Sequence, residues 1–166
     1  MGERTEMGES CTQGADTNAT IHIHPPMLAG VLLLGGLLLH LLGGHHHSVL
    51  HLQQLLGLLS VAGGVGLSFY AAAIFAARDT TKKPFGQPTA FVTTMPYTFT
   101  RNPMYVGLTT ILFGFAVFFG SSVMLAAPII FLLVIDRMVI PKEEDTMDRL
   151  FGQQYRDYKN RVRRWL

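Results

Sequence analysis

Two short stretches of the sequence carry side chains that could bind a charged ligand. Residues 97–107 read YTFTRNPMYVG, and the adjacent glutamates Glu143 and Glu144 follow a later apolar stretch. Carboxylates, a guanidinium and aromatic rings gathered in one place would suit a zwitterionic, cationic or nucleoside ligand. If the intervening helices form a hairpin, two groups of residues would face each other: Arg101, Asn102 and Tyr105 in one, and Arg137, Glu143 and Glu144 in the other.

The first stretch also has a purely structural interpretation. Asn102 is a suitable N-cap, and Pro103 fits the first position of a helix. Tyr97 and Tyr105 would then be aromatic residues at a membrane interface. Residues 78–102, however, are too rich in Thr, Pro and Gly to be helical, and a long irregular loop is usually functional. We therefore expect this loop to form part of a binding site.

The composition indicates a membrane protein. Hydrophobic residues make up 49% of the 166-residue chain and charged residues 14%, whereas soluble domains carry about 25% charged residues. Backbone groups in lipid must be hydrogen-bonded within their own segment, so the apolar blocks are expected to be helices. Cys11 is the only cysteine, which excludes an intrachain disulfide and a cysteine-based metal site. The expected fold class is an all-α integral membrane protein.

Four transmembrane helices are predicted, at about 27–42, 55–77, 103–119 and 122–140. The last two come from one apolar run between Met104 and Ile135. As a single helix this run would be roughly 48 Å long, against a bilayer core of about 30 Å. Gly120, Ser121 and Ser122 in its middle predict the turn. Residues 1–20 are predicted to be a disordered polar tail, and residues 21–166 to form one membrane domain.

The positions of Lys and Arg predict the orientation. Eleven of the thirteen lie between the second and third spans or in the tail 141–166, whereas the segments 43–51 and 120–122 contain none. The positive-inside rule therefore puts the loop 78–102, the tail 141–166 and both termini in the cytoplasm. The tail also carries a helical apolar stripe, which predicts an amphipathic helix at the membrane interface or folded back on the spans. The stripe consists of Leu150, Phe151, Tyr155, Tyr158, Val162 and Trp165.

The series FVTTMPYTFTRNPMYVG, followed by VIPKEEDTMDRLFGQQYRDYKNRVRRWL, resembles the isoprenylcysteine carboxyl methyltransferase and phospholipid methyltransferase superfamily. These integral membrane enzymes use S-adenosylmethionine (SAM). They share a Val-Thr and Pro-Tyr stretch, an Arg-(His/Asn)-Pro-x-Tyr-x-Gly box, a glutamate pair, a Phe-Gly-x-x-Tyr-x-x-Tyr box and a basic ending with Trp. The resemblance covers about residues 88–166, and the boxes occur in the family's order and spacing.

The resemblance implies roles for individual residues. Its cofactor site would consist of Thr89, Ala90, Phe91, Val92, Tyr97, Arg101, Asn102, Tyr105 and Glu143. Glu143 would bind the ammonium group of the methionine moiety, and an aromatic face would stabilise the sulfonium. Arg137 and Glu144 would be the catalytic residues that orient the acceptor.

The implied function is SAM-dependent methyl transfer to a lipophilic acceptor at the cytoplasmic membrane face. The acceptor, resembling a prenylcysteine carboxylate or a lipid amine, would enter from the bilayer. The sequence departs from the family pattern at Asn102, where histidine is common, at Met95, where glycine is common, and in its ending, which lacks the proline. These departures leave the choice of acceptor open.

Other interpretations of the same residues make different predictions. A small scaffold or transporter subunit would bind no SAM, and a relative of the sterol reductases would bind NADPH instead. No metal site is expected, because the consecutive histidines 45–47 cannot all converge on one ion and no carboxylate lies near them. The expected partners are membrane lipids and a lipophilic substrate, with no nucleic acid. Nothing in the sequence indicates an oligomeric state.

Overall fold

The computed structural model describes residues 24–43, 51–78 and 93–166, and these ranges contain helices and no β-strand. This confirms the predicted all-α class for the described part of the chain. In order, the elements are α1 (Pro25–Leu42), α2 (His51–Arg78), α3 (Pro103–Phe119), α4 (Ala126–Val134), a π-helical turn (Ile135–Val139) and α5 (Ile140–Arg161).

The first three helices agree closely with the predicted segments. The bounds of α3 are the predicted ones, and Pro103 occupies its first turn. Helix α1 begins two residues early because Pro25 and Pro26 fit a first turn, where no N–H is needed. Helix α2 begins earlier than predicted, at His51, and the side-chain amide of Gln53 donates to the Val117 carbonyl across the interface at 2.9 Å.

The predicted turn after α3 is confirmed. Gly120 has a φ of 61° in the left-handed region, and its N–H donates to the carbonyls of Ala116 and Val117. Glycine adopts this conformation without the steric cost that a Cβ would add. The hydroxyl of Ser121 then accepts a hydrogen bond from the Met124 N–H at 3.3 Å, which leads the chain into α4.

The segment predicted at 122–140 is built differently from the prediction. Helix α4 begins only at Ala126, and the chain passes through the π-helical turn into α5 without leaving the helical conformation. The Ile140 N–H bonds the Ile135 carbonyl five residues earlier. Pro141 has no N–H to continue an α-helical ladder, and a π turn is a common way to accommodate such a position. Asp136 and Arg137 lie within this π-helical turn.

Within the described ranges two helices, α1 and α2, are long and apolar enough to cross a membrane, and α3 is a shorter apolar helix. In a soluble protein such helices would be buried in the core. Here only 6% of the apolar window of α1 and 11% of that of α2 is buried. Large apolar side chains such as Leu34, Leu42 and Phe69 are exposed instead. Exposed apolar surface on this scale needs lipid, so the protein associates with a membrane.

The helices pack in two ways. Helix α2 lies along α3 with their backbones in close contact, which Gly57 and Gly64 of α2 and Gly107 and Gly114 of α3 permit. Helices α1, α3 and α4 and the start of α5 share an apolar core that includes Leu112, Phe131, Ile135 and Ile140. This core positions the first turns of α3 and α5 beside each other.

Helix α5 changes direction at Gly152, where φ is 51°. Beyond this point Tyr155 and Tyr158 are buried, and the Tyr158 hydroxyl donates to the Tyr97 carbonyl at 2.6 Å. The second half of α5 thus folds back onto the loop before α3. Several predictions lie outside the described residues: the tail 1–20, the strip Thr89–Val92 and the histidines 45–47.

Candidate functional site

A tyrosine and a glutamate from two distant parts of the chain form the centre of the candidate site. Tyr105 lies in the first turn of α3 and Glu143 in the first turn of α5. The Tyr105 hydroxyl donates to Oε1 of Glu143 at 2.5 Å, a short bond of the kind that carboxylates accept. Tyr105 is buried, whereas Glu143 is open to solvent. A predicted pairing between the two ends of the hairpin is therefore present.

The carboxyl group of Glu143 remains crowded by protein atoms although the residue reaches solvent. This partial burial raises the pKa of Glu143; the Tyr105 hydrogen bond opposes the rise and the charge of Glu144 adds to it. Burial, followed by the nearby Glu143 charge, raises the pKa of Tyr97 to about 12. Tyr97 therefore stays a neutral phenol near the same carboxylate, and its hydroxyl donates to the Ala71 carbonyl of α2 at 3.3 Å.

Glu144 has an environment opposite to that of its neighbour. It is buried and bound by three cations: Nη1 of Arg101 lies 2.8 Å from Oε1, Nη2 of Arg164 lies 2.8 Å from Oε2, and Nζ of Lys159 lies 3.4 Å from Oε2. Burial alone would raise the pKa of Glu144, but the Arg164 hydrogen bond and the three positive charges outweigh it and lower the pKa. Glu144 is therefore ionised and has both oxygens occupied.

The residues after α5 connect the two halves of the site. We call residues 163–166 the strap. The Arg101 N–H donates to the Arg163 carbonyl at 3.0 Å. The Arg164 carbonyl accepts from the Thr100 hydroxyl and from Nδ2 of Asn102, both at 3.1 Å. The strap is thus bound by three consecutive residues of the segment before α3.

Asn102 does not act as expected from its position. It is the N-cap residue of α3, but its side chain makes no capping hydrogen bond and instead binds the strap. Its own N–H donates to the Thr100 hydroxyl at 3.2 Å. Asn102 therefore links the two segments and keeps the Arg101 backbone next to the strap.

Arg137, one of the two predicted catalytic residues, lies apart from this cluster. Its side chain is 79% exposed, and the ion pair it makes within the described residues is a long one, 3.8 Å to Asp136. The π-helical turn directs Asp136 rather than Arg137 towards the strap. Oδ1 of Asp136 accepts from Nη1 of Arg164 at 3.2 Å and from Nε1 of Trp165 at 3.0 Å.

The sequence analysis gave no site role to several participants, among them Thr100, Arg164 and Trp165. Their neighbours carried the signal, because Thr100 precedes the Arg-Asn-Pro box and Arg164-Trp165 matches the basic ending of the resembled family. Nothing local, however, shows that these segments meet.

An apolar groove of about 670 Å³ lies between α3 and α4, within the range of roughly 300–1,000 Å³ that holds small ligands. The hydroxyls of Thr109 and Thr110 in its wall bond carbonyls of their own helix at 2.8 Å, so they offer no free donor. One end of the groove carries Asp136 and Trp165. The complete lining is Val106, Thr109, Thr110, Phe113, Leu125, Pro128, Ile129, Leu132, Leu133, Asp136, Trp165 and Leu166.

The arrangement is suited to binding a cation beside an apolar chain. No group of three His, Cys, Asp or Glu residues that could hold a metal ion occurs among the described residues. The polar cluster of Tyr97, Tyr105 and Glu143 offers a carboxylate and aromatic rings to a cation. The groove next to it offers space to a hydrocarbon chain.

Comparison with known proteins identifies the family of the chain. A family model described as phospholipid methyltransferase matches residues 52–154, which include α2, α3, α4 and most of α5. An uncharacterized protein of Haemophilus influenzae is 43% identical over 63 residues, which is 38% of this chain and 100% of that protein. No solved structure matches. The family match covers more than half of the chain, and the chain therefore belongs to the phospholipid methyltransferase family.

Proposed function

We propose that this protein transfers a methyl group from SAM to a lipophilic acceptor at the cytoplasmic face of a membrane. The observation that carries the proposal is the Tyr105–Glu143 pair at 2.5 Å in a chain of the phospholipid methyltransferase family. A methyltransferase with lipid-like substrates needs a polar site for the donor beside an apolar site for the acceptor. The polar cluster and the adjoining groove meet that requirement.

The residues of the polar cluster fit the cationic part of SAM. Within the described contacts only Oε1 of Glu143 is bonded, by Tyr105, so its other oxygen is an acceptor available for an ammonium group. The neutral rings of Tyr97 and Tyr105 lie near this carboxylate, where an aromatic face stabilises a positive charge. We propose that Glu143 binds the ammonium group and that the tyrosines lie beside the sulfonium, with Arg101, Asn102 and the segment 89–92 completing the cofactor site.

SAM supplies a methyl group that is already activated, so the protein mainly has to hold donor and acceptor in line. Glu144 has both oxygens occupied by arginines, so we propose that it holds the cluster together and positions Arg101. Arg137 is exposed and lies outside the cluster; we propose that it meets the head groups of acceptors that enter from the bilayer, at the cytoplasmic face.

The groove between α3 and α4 suits the hydrocarbon chain of the acceptor. Its walls are apolar, its threonines are internally bonded, and its charged end carries Asp136 and the strap residues Trp165 and Leu166. We propose that α3 and the segment from α4 through the π-helical turn are the third and fourth transmembrane helices, with α5 along the cytoplasmic interface. A chain in the groove would then lie in the bilayer while its head group reaches the cytoplasmic site.

Replacing Glu143 by Gln is expected to weaken SAM binding by roughly 10- to 100-fold, because a hydrogen bond to a charged group contributes about 1.5–3 kcal/mol. Isothermal titration calorimetry of the detergent-purified protein measures this directly. Asp145→Asn, two residues further along α5 and exposed, removes a carboxylate without touching the cluster and is expected to leave the affinity unchanged. Equal SAM affinity of wild type and Glu143→Gln would remove the assignment.

Transfer of a labelled methyl group from SAM tests the function itself. The acceptors to compare are a prenylcysteine, an aminophospholipid and a small thiol. Incorporation into a lipophilic acceptor supports the proposal. SAM binding without transfer to any acceptor of the panel would confine the proposal to the cofactor, and binding of NADPH instead of SAM would replace it by a reductase.

A further inference from the structure

The strap lies at one end of the groove, and its consecutive side chains face two different sides. On one side Arg164 binds Glu144, the residue next to Glu143 of the polar cluster, with two nitrogens, at 2.8 and 3.2 Å. Trp165 and Leu166 line the end of the groove. Asp136 joins the two sides, since its Oδ1 accepts from both Arg164 and Trp165.

The strap is held in place at several points. Its backbone carbonyls accept from the Arg101 N–H, the Thr100 hydroxyl and the Asn102 amide. The indole N–H of Trp165 is fixed by Asp136 at 3.0 Å, and the ring packs against the apolar core shared by α1, α3 and α4. A half-buried indole held at both its polar and its apolar side has a defined orientation.

We propose that Trp165 is a specificity-determining residue that separates the acceptor groove from the proposed cofactor site. This rests on the proposed function. The indole, positioned by Asp136, limits how far an acceptor can advance along the groove and how large a head group can pass towards the reacting methyl group. Asp136 is then a positioning residue, which acts through the orientation of the Trp165 ring.

This position of the Trp165 ring predicts that replacing Trp165 changes the acceptor preference. Trp165→Ala opens the end of the groove, so the KM of small-headed acceptors should rise about tenfold, the size of effect expected when an apolar contact in a pocket is lost. The preference of the enzyme should therefore shift from small-headed acceptors towards acceptors with larger head groups. Trp165→Phe keeps a ring but loses the hydrogen bond to Asp136. Its KM for small-headed acceptors should lie between those of wild type and Trp165→Ala. SAM affinity should remain unchanged in both variants, because the hydrogen bond described for Trp165 goes to Asp136, and none joins it to Glu143 or Tyr105 among the described residues.

A second measurement is independent of SAM and of turnover. Trp165 is the only tryptophan of the chain, so its fluorescence reports on this one position. In vesicles of phosphatidylcholine and phosphatidylglycerol whose acyl chains carry bromine, a chain in the groove should quench Trp165. Thr110→Phe fills the groove and should reduce that quenching at least twofold. Ala73→Phe adds the same ring to an exposed part of α2 and should leave the quenching of Trp165 unchanged.

The outcomes separate this inference from the proposed function. Equal quenching in wild type and Thr110→Phe, or an unchanged acceptor ranking in Trp165→Ala, would overturn the role of Trp165. Groove-dependent quenching without any SAM binding would support the lipid site and reject the methyltransferase function. Destabilised variants are recognised because SAM affinity, measured on the same preparations, would then fall as well.

Discussion

Gly64→Ala is expected to destabilise the protein by about 2–3 kcal/mol, although it adds a single methyl group. A Cβ at this position would lie 2.6 Å from the Gly107 carbonyl oxygen and 3.0 Å from the Ile111 nitrogen. Both are backbone atoms, so no side chain can rotate away. The helices would have to separate, and overpacking of this kind costs about 1–3 kcal/mol. Helices in lipid depend on close packing because lipid is as apolar as their side chains.

The neighbouring residue provides the control. Gly63→Ala places its Cβ where no atom lies within 4 Å. Since alanine is favoured over glycine in a helix by about 1 kcal/mol, this variant should be as stable as wild type or slightly more so. Thermal unfolding in one detergent, followed by circular dichroism, compares the two variants. If both shift the midpoint in the same direction and by the same amount, the close contact between α2 and α3 is refuted.

The sequence shows the spacing of these glycines, but it does not show which glycines lie at the contact between α2 and α3. Gly57 and Gly64 are seven residues apart in α2, as are Gly107 and Gly114 in α3, so each pair lies on one face of its helix. That spacing was a usable signal for a helix pair. Gly63 and Gly66 fall in the same apolar segment, and only the packing shows that they lie on the other side.

The candidate site also has a part that could be predicted from the sequence and a part that could not. Short-range signals predicted Pro103 as the start of α3, Gly120 as its end, and the approach of Glu143 to Tyr105, because a hairpin brings its own ends together. The strap was not predictable, since Arg164 reaches Glu144 and Asp136 only after α5 has changed direction. That change occurs at Gly152, and its three-dimensional consequence leaves no periodic pattern in the sequence.

The two adjacent glutamates are expected to differ more than their positions suggest. The family resemblance implied an acceptor-orienting role for Glu144, but Glu144 is buried beneath Arg101 and Arg164 while Glu143 is open to solvent. Glu144→Gln should therefore affect stability first, and any loss of SAM binding should follow from the displaced Arg101. Removing one partner of a buried ion pair typically costs about 3–5 kcal/mol, because the remaining charges lose their counterion.

Glu144→Gln is accordingly expected to lower the unfolding free energy by about 3 kcal/mol at pH 7. Thermal unfolding in detergent measures this, with Asp145→Asn as the matched control. Asp145 pairs with Arg149 on the exposed face of α5, and an exposed pair of this kind contributes less than about 1 kcal/mol. A similar loss in both variants would mean that the Arg101–Glu144–Arg164 cluster contributes little to stability.

The pH dependence of the unfolding free energy provides a second test of the Arg101–Glu144–Arg164 cluster. The folded state lowers the pKa of Glu144, so its stabilising contribution is fully present above the unfolded glutamate value of about 4.3. It is lost as the pH falls through the lower pKa of the folded state. The stability difference between wild type and Glu144→Gln should therefore be constant near neutral pH and shrink below about pH 4. A difference that stays constant into that acid range would show that the Glu144 carboxylate charge is not what holds α3, α5 and the strap together.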